Sequence, residues 1–135
     1  MSAASNYLEN KVLDHVLTAT GYTAPTTRYV GLFTNTSGSA AANLEAGTLT
    51  DEVSGGSYAR QAVTFGAASG GSSATNATVT FAAATANWGT VTHVAVMDAA
   101  TGGNVLFYGA VTTAKTIETG DTFQISSGNL TVSLA

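Results

Sequence analysis

Two histidines and a short acidic cluster are the residues of this chain whose types could support chemistry. His15 and His93 lie far apart in the sequence, and no His-x-x-x-His or Glu-flanked pattern joins them into a metal site. Asp51 and Glu52 are adjacent, and with Glu45 they could hold a hard cation through carboxylate oxygens. The Asp-x-Asp-x-Asp-Gly spacing of a calcium-binding loop is absent. We therefore predict structural roles for the histidines and no metal site.

The sequence also contains no recognisable motif for a catalytic nucleophile or a cofactor-binding loop. The Gly-x-Ser-x-Gly elbow of a serine hydrolase does not occur, and the absence of cysteine removes thiolate catalysis and disulfides. The glycine-rich stretches 54–57 and 69–72 lack the spacing of a phosphate-binding loop and have no adjacent lysine. The sequence therefore predicts a non-enzymatic protein with no cofactor and no catalytic, cofactor-binding or metal-binding residue.

Carbohydrate binding is the alternative that the aromatic residues leave open. Trp88 could stack on a sugar if it lay exposed in a groove with Tyr58 and a carboxylate, and hydrolysis would need two opposed carboxylates. Only Asp51, Glu52 and Asp98 are plausible, and nothing in the sequence brings them together. A single tryptophan just before a strand is more often a core residue, which is the interpretation we favour.

The chain carries unusually little charge. Only 9% of its residues are charged, against about 25% in an ordinary soluble domain. The net charge is −4, and the cations are scattered over Lys11, Arg28, Arg60 and Lys115, which argues against nucleic acid and anionic membranes as partners. Soluble proteins usually keep a well-charged surface. A surface this neutral favours a structural or interaction protein packed against other molecules.

One amphipathic helix is predicted near the N-terminus, from about residue 5 to about residue 19. Asn6 and Glu9 have the spacing of a capping box, Ser5 is an alternative N-cap, and Gly21 is a natural stop. The apolar residues fall on one helical face: Leu8, Val12, Leu13, Val16 and Leu17. We expect this stripe to pack on the rest of the domain; the alternative is that it docks on a partner.

Everything after Pro25 is predicted to be β-structure. Seven stretches have β-forming composition or period-two alternation: 28–34, 58–65, 77–82, 91–98, 105–112, 122–125 and 130–134. The clearest hairpin joins 91–98 to 105–112 through a loop that contains Gly102 and Gly103. These elements predict a mainly β fold, an antiparallel β-sandwich or barrel of about seven strands with one N-terminal α-helix. We expect a single domain over 1–135, with the β domain at about 28–135.

Two stretches of low charge interrupt the predicted strands. Residues 35–57 are long for a loop inside a compact domain, and loops of that length are usually functional or disordered. We expect this loop to be an arm that reaches a neighbouring subunit. Residues 66–76 have the composition of a flexible connector.

Several segments of the chain resemble those of one protein family. They are 5–17, 29–34, 52–65, 88–93 and 99–109, and the most distinctive is Glu-Val-Ser-Gly-Gly-Ser-Tyr-Ala-Arg-Gln-Ala-Val-Thr-Phe at 52–65. Together they are similar to a family of small tailed-bacteriophage structural proteins, often tail-fibre-like and in some cases similar to capsid cement or decoration proteins. The resemblance spans nearly the whole chain and implies a virion component without catalytic residues.

Within that family, the small size and neutral surface favour a capsid cement protein. Such a protein would clamp neighbouring major capsid subunits, and its partners would be the major capsid protein and copies of itself in a homotrimer. The alternative is a tail or tail-fibre subunit, which could contact a host-surface glycan, although no heptad or collagen-like repeat is present to build a shaft. We expect assembly in the bacterial host cytoplasm, since residues 1–10 do not form a secretory signal.

Overall fold

The computed structural model describes residues 2–134, which form nine β-strands and two helices. In chain order these are β1 (Ala3–Ala4), α1 (Asn6–Leu17), β2 (Arg28–Phe33), α2 (Ala40–Ala46), β3 (Gln61–Val63), β4 (Ser72–Ala74), β5 (Val79–Thr80), β6 (Gly89–Met97), β7 (Val105–Ile117), β8 (Gln124–Ile125) and β9 (Thr131–Ser133). A five-stranded antiparallel sheet has the order β1-β7-β6-β2-β3, and two ribbons pair β4 with β9 and β5 with β8. The prediction of a mainly β, antiparallel fold is confirmed, and because the large sheet is open the layered arrangement describes it better than a barrel.

The predicted hairpin of β6 and β7 forms the centre of the large sheet. β7 runs further than the sequence indicated, to Ile117, and Gly89 at the start of β6 opposes that residue. The register is interrupted between Val91, which opposes Lys115, and His93, which opposes Ala110. β7 therefore carries extra residues opposite Thr92, and this bulge bends the strand away from a regular ladder.

The central strands β2 and β6 are buried on both faces, because successive side chains point to opposite sides of a sheet. One face packs under the ribbons in the larger core cluster, which includes Val30, Leu32, Phe81, Trp88, Val94 and Phe123. The opposite face packs against α2 in a second cluster, which includes Phe33, Leu44, Ala95 and Met97. Burial on both sides explains why β2 and β6 contain consecutive apolar residues, such as Leu32–Phe33 and Val94–Met97, instead of a strict alternation with polar residues.

Residues 35–57 do not form an extended arm. Their central part is α2, in which Ala40 and Leu44 are buried against the large sheet. The Ala-rich run at 40–42 has high helix propensity, and Gly47 ends the helix in the left-handed conformation with a φ of 81°. The segment is therefore not a free loop, because α2 packs on its own sheet; that it reaches a neighbouring subunit stays a prediction.

The strand predictions also need correction in the second half of the chain. The connector 66–76 contains β4, which pairs with β9, so it is not simply flexible. The predicted strands 58–65 and 77–82 shorten to the bounds of β3 and β5. The preceding residues Tyr58 and Arg60 direct their side chains into the protein and bond to Glu52 instead of extending a ladder.

The N-terminal helix is confirmed, with different caps. Ser5, not Asn6, is the N-cap: its Oγ accepts a hydrogen bond from the Leu8 amide at 3.3 Å and donates one to the Val105 carbonyl. The helix ends at Leu17, four residues before Gly21, where the Thr18 hydroxyl donates to the Asp14 carbonyl at 2.7 Å. The first turn is thus tied to β7 by Ser5.

The apolar stripe of α1 does not pack on the rest of the domain. Leu8 is buried, but the remaining members are exposed, at 36% for Val12, 54% for Leu13, 70% for Val16 and 73% for Leu17. Every residue from 9 to 21 is exposed. The expectation of intramolecular packing is wrong beyond the first turn, because only that turn is anchored, and the alternative of a partner-facing stripe is the one that the structure supports.

A matched pair of substitutions on α1 tests this description. Leu8→Ala should lower the free energy of unfolding by about 2–5 kcal/mol, because it removes a buried side chain and leaves a cavity. Leu13→Ala should change the stability of the monomer by less than about 0.5 kcal/mol, because its side chain is exposed. Urea unfolding at low protein concentration, followed by Trp88 fluorescence, measures both. Equal losses would show that the whole stripe packs within one chain.

Candidate interaction site

The acidic residues near position 50 do not converge on a common site. Asp51 caps the segment before α2, Glu52 pairs with Arg60, and Glu45 accepts a hydrogen bond from the Tyr108 hydroxyl of β7. Each carboxylate thus has its own protein partner. Across residues 2–134, no group of three or more His, Asp and Glu side chains is arranged to hold a metal ion.

Asp51 organises the turn that leads into α2. It is buried, and its carboxylate accepts hydrogen bonds from the Ser37 amide at 3.0 Å, the Ser37 hydroxyl at 2.5 Å, the Thr36 hydroxyl at 3.2 Å and the Asn43 side-chain amide at 3.4 Å. The Ser37 hydrogen bonds hold the pKa of Asp51 below its usual 3.8, although burial acts in the opposite direction. The carboxylate therefore has a structural role.

Arg60 joins two distant segments from a buried position. Its Nε and Nη2 donate to the two carboxylate oxygens of Glu52 at 2.7 and 2.8 Å, which is the bidentate geometry of a strong ion pair. Its Nη1 donates to the carbonyls of Ala99 and Gly102 at 2.7 and 2.8 Å. Burial alone would lower the pKa of Arg60, but the hydrogen bonds and charge of Glu52 outweigh it and raise the pKa.

Tyr58 extends the same network into the core. Its hydroxyl donates to Glu52 at 2.8 Å and accepts from the Leu32 amide at 3.0 Å. Burial is the main cause that raises the pKa of Tyr58 far above its usual value. The ring stacks near Phe81 at 6.2 Å and meets Trp88 edge-on at 5.5 Å. This side chain is therefore fixed within the structure.

Trp88 and Tyr58 do not form an exposed platform for a sugar. Trp88 is 5% exposed, and its indole Nε1 donates to the Gly56 carbonyl at 2.9 Å, so the core interpretation is confirmed. Asp98 holds the turn of the central hairpin by accepting hydrogen bonds from Asn104 at 2.7 and 2.9 Å. Asp98 thus does not join Asp51 as an opposed pair of carboxylates.

The two histidines lie on different elements and contact neighbours in their own segments. His15 of α1 is exposed, with Nδ1 3.2 Å from the Thr20 carbonyl. His93 of β6 is half-buried, with Nδ1 2.8 Å from the Thr92 hydroxyl, and burial lowers its pKa against a smaller opposing effect of Asp51. The structure does not bring these two residues together.

An apolar groove is the surface feature that sequence reasoning missed. It has a volume of about 310 Å³ and lies beside the β4–β9 ribbon, and Arg28 is the one charged residue lining it within the described chain. Its apolar walls are Phe65, Val96, Leu106, Phe107, Val132 and Leu134. These residues come from separate strands and connections, so no local pattern in the sequence could reveal the groove.

The exposed stripe of α1 and this groove, which we call the ribbon groove, are the two candidate interaction surfaces. Contiguous exposed apolar surface on a small protein often marks a binding site. Neither helix within residues 2–134 is long and apolar enough to cross a membrane. The stripe and the groove are the surfaces whose composition best suits contact with another molecule.

A protein-family comparison matches nearly the whole chain. The family described as Podophage GP4 fiber I protein gp80 matches residues 3–133. A comparison with curated proteins finds no match.

Removing the Asp51 carboxylate should destabilise the protein in a pH-dependent way. Asp51→Ala removes the charged acceptor of the hydrogen bonds from Thr36, Ser37 and Asn43, which should cost about 1–3 kcal/mol at neutral pH. The pKa of Asp51 in the folded state lies below its unfolded value of 3.8. The ionised carboxylate therefore stabilises the fold above pH 3.8, and this stabilisation is lost as the pH falls through the folded-state pKa. Urea unfolding should show a difference from wild type that shrinks in acid. Asp14→Ala, at an exposed position, is the control, and a pH-independent difference would contradict this role.

Breaking the buried ion pair should be more damaging than removing both of its charges. Arg60→Met leaves the Glu52 carboxylate unpaired and should cost about 3–5 kcal/mol. Glu52→Gln in the same chain should recover much of that loss, because Gln still accepts from Tyr58. Unfolding measurements on the two single variants and the double variant give the coupling energy. Lys115→Met, at an exposed position, is the control; simple additivity would disprove the coupling.

Proposed function

Because this chain belongs to the phage fibre family described as Podophage GP4 fiber I protein gp80, we propose that it is a structural subunit of a virion fibre. The match over residues 3–133 is the observation that carries the proposal. Membership of a phage fibre family makes the chain a component of the virion. The fibre role is the alternative of the sequence analysis, and the family description favours it over capsid cement.

The way in which the chain uses its few charges supports a non-enzymatic role. Glu52 and Arg60 form a buried pair, Asp51 caps a turn and Glu45 bonds to Tyr108, so these polar groups hold the fold together. The exposed surface is dominated by small and hydroxyl-bearing side chains. Contacts made by hydroxyl, backbone and apolar groups do not depend on charge pairs and are little affected by salt. This suits a subunit that stays in permanent contact with other subunits.

The described fold suits a globular part of a fibre better than a shaft. Its β-strands and two short helices contain no long coiled coil within the described residues, and the core lies between a sheet and its covering layers. We propose copies of itself as the main partners, in a homotrimer or another closed ring. The burial of Trp88 and Tyr58 provides no support for a glycan contact at those residues.

The copy number and position of the chain in purified virions test this proposal. Quantitative mass spectrometry should find it at a small fraction of the major capsid protein, because fibres occupy few positions on a virion. Gold-labelled antibody should bind at the fibres in electron micrographs. The portal and major capsid proteins serve as internal standards for low and high copy number. A nearly equimolar ratio with uniform labelling of the head would contradict the fibre role and favour cement.

A further inference from the structure

The projecting part of α1 is not stable by its own contacts. The helix has twelve residues, and isolated helices of that length are marginal in water. Its first turn is tied down by Ser5 and Leu8, but Val16 and Leu17 near its end are about 70% exposed. A helix that presents its apolar residues to solvent gains stability when another surface covers them. A surface that covered the stripe would therefore stabilise this part of α1.

The apolar stripe of α1 also has a negatively charged residue, Glu9, at its N-terminal end. Glu9 precedes Val12 and Leu13 by three and four positions and Val16 by seven, so it lies on the same helical face. The apolar surface thus carries a carboxylate at its N-terminal end. If copies of α1 packed in parallel around an axis, the Glu9 carboxylates would face one another, which is unfavourable for like charges. A surface with an apolar centre and a cation at its border is the better complement.

The ribbon groove has that composition. Its walls are apolar, and Arg28 is the charged residue at its lining. Of the other cations, Arg60 is buried with Glu52, and the Lys11 ammonium lies 5.6 Å from the centre of the Tyr7 ring. Lys115 lies outside this groove, at a surface where polar residues such as Thr112, Thr113 and Gln124 accompany the apolar ones. Arg28 thus offers the stripe both a matching charge and a place beside apolar side chains.

We propose that α1 of one copy docks in the ribbon groove of a second copy, with Glu9 facing Arg28. This is recognition of an amphipathic helix by a hydrophobic groove. It builds on the proposed function, in which several copies of the chain assemble together. The contact joins two different surfaces of the chain, and copies that repeat it head-to-tail close into a ring when the rotation permits.

The extent of the two surfaces also favours this arrangement. Stable interfaces take about 20–30 residues from each partner, so a contact between two stripes alone would be small. In a head-to-tail ring every copy gives its stripe to one neighbour and its groove to another, so each copy uses two patches. The docked helix would also cover the exposed Leu134 at the groove rim.

A charge exchange tests the contact between Glu9 and Arg28. Glu9→Lys and Arg28→Glu should each weaken self-association of the full chain about tenfold, and the double variant should recover most of that loss, as measured by sedimentation equilibrium. Lys115→Glu makes the same charge change as Arg28→Glu outside the groove and should leave association unchanged. Circular dichroism confirms that each variant is folded. No recovery in the double variant, or an equal effect of Lys115→Glu, would overturn the proposal.

A mixing experiment separates the head-to-tail contact from pairing of two helices. Leu13→Asp disables the stripe, and Ala68→Trp fills the groove from its rim. Neither variant should associate alone, but a mixture should form a one-to-one heterodimer through the intact groove of the first and the intact stripe of the second. A mixture that stays monomeric would overturn the proposal. A wild-type chain that is monomeric at every concentration would also overturn it. The proposed fibre role is tested separately, by the location and copy number of the chain in virions.

Discussion

The buried guanidinium of Arg60 is the interaction on which the arrangement of this fold depends. One side chain satisfies both oxygens of Glu52 and two carbonyls in the turn of the central hairpin. Glu52 in turn accepts from Tyr58, whose ring belongs to the aromatic core. A planar group with several fixed donors is suited to joining segments in this way, and a lysine could not satisfy the same acceptors. These hydrogen bonds thereby fix the hairpin turn, the segment after α2 and the aromatic core relative to one another.

The parts of the fold that were predictable are those encoded by local patterns. The β-forming run at 28–34 and the hairpin around Gly102 and Gly103 have enough local signal to be located, and so does the first turn of α1. The exposure of Val16 was not predictable, because an apolar stripe has the same spacing whether it faces its own core or a partner. The short strand β4 was hidden for a related reason, since its pairing with β9 is set by residues far away in the sequence.

The two candidate interaction surfaces also differ in how far the sequence predicts them. The stripe of α1 is visible in the sequence as a periodic pattern, and only its partner was undefined. The ribbon groove has no sequence signature, because Phe65, Val96 and Val132 come together only in the folded chain. Arg60 did leave a signal: in a chain with four cations, an arginine within a β-forming stretch is unlikely to serve solubility alone. Its pairing with Glu52, together with the Tyr58 hydrogen bond to the same carboxylate, gives a structural role to three residues of the distinctive 52–65 sequence.

The bulge in β7 has a consequence for the open edge of the large sheet. β1 pairs only with Phe107 and Tyr108, so the following part of β7 has no strand on its outer side within the described chain. A straight, open strand of this length would be a template for uncontrolled sheet growth from one molecule to the next. The bulge opposite Thr92 breaks the straight edge, and the charge of Lys115 adds a further obstacle. The irregular strand is thus a poor template for the addition of a strand from another molecule.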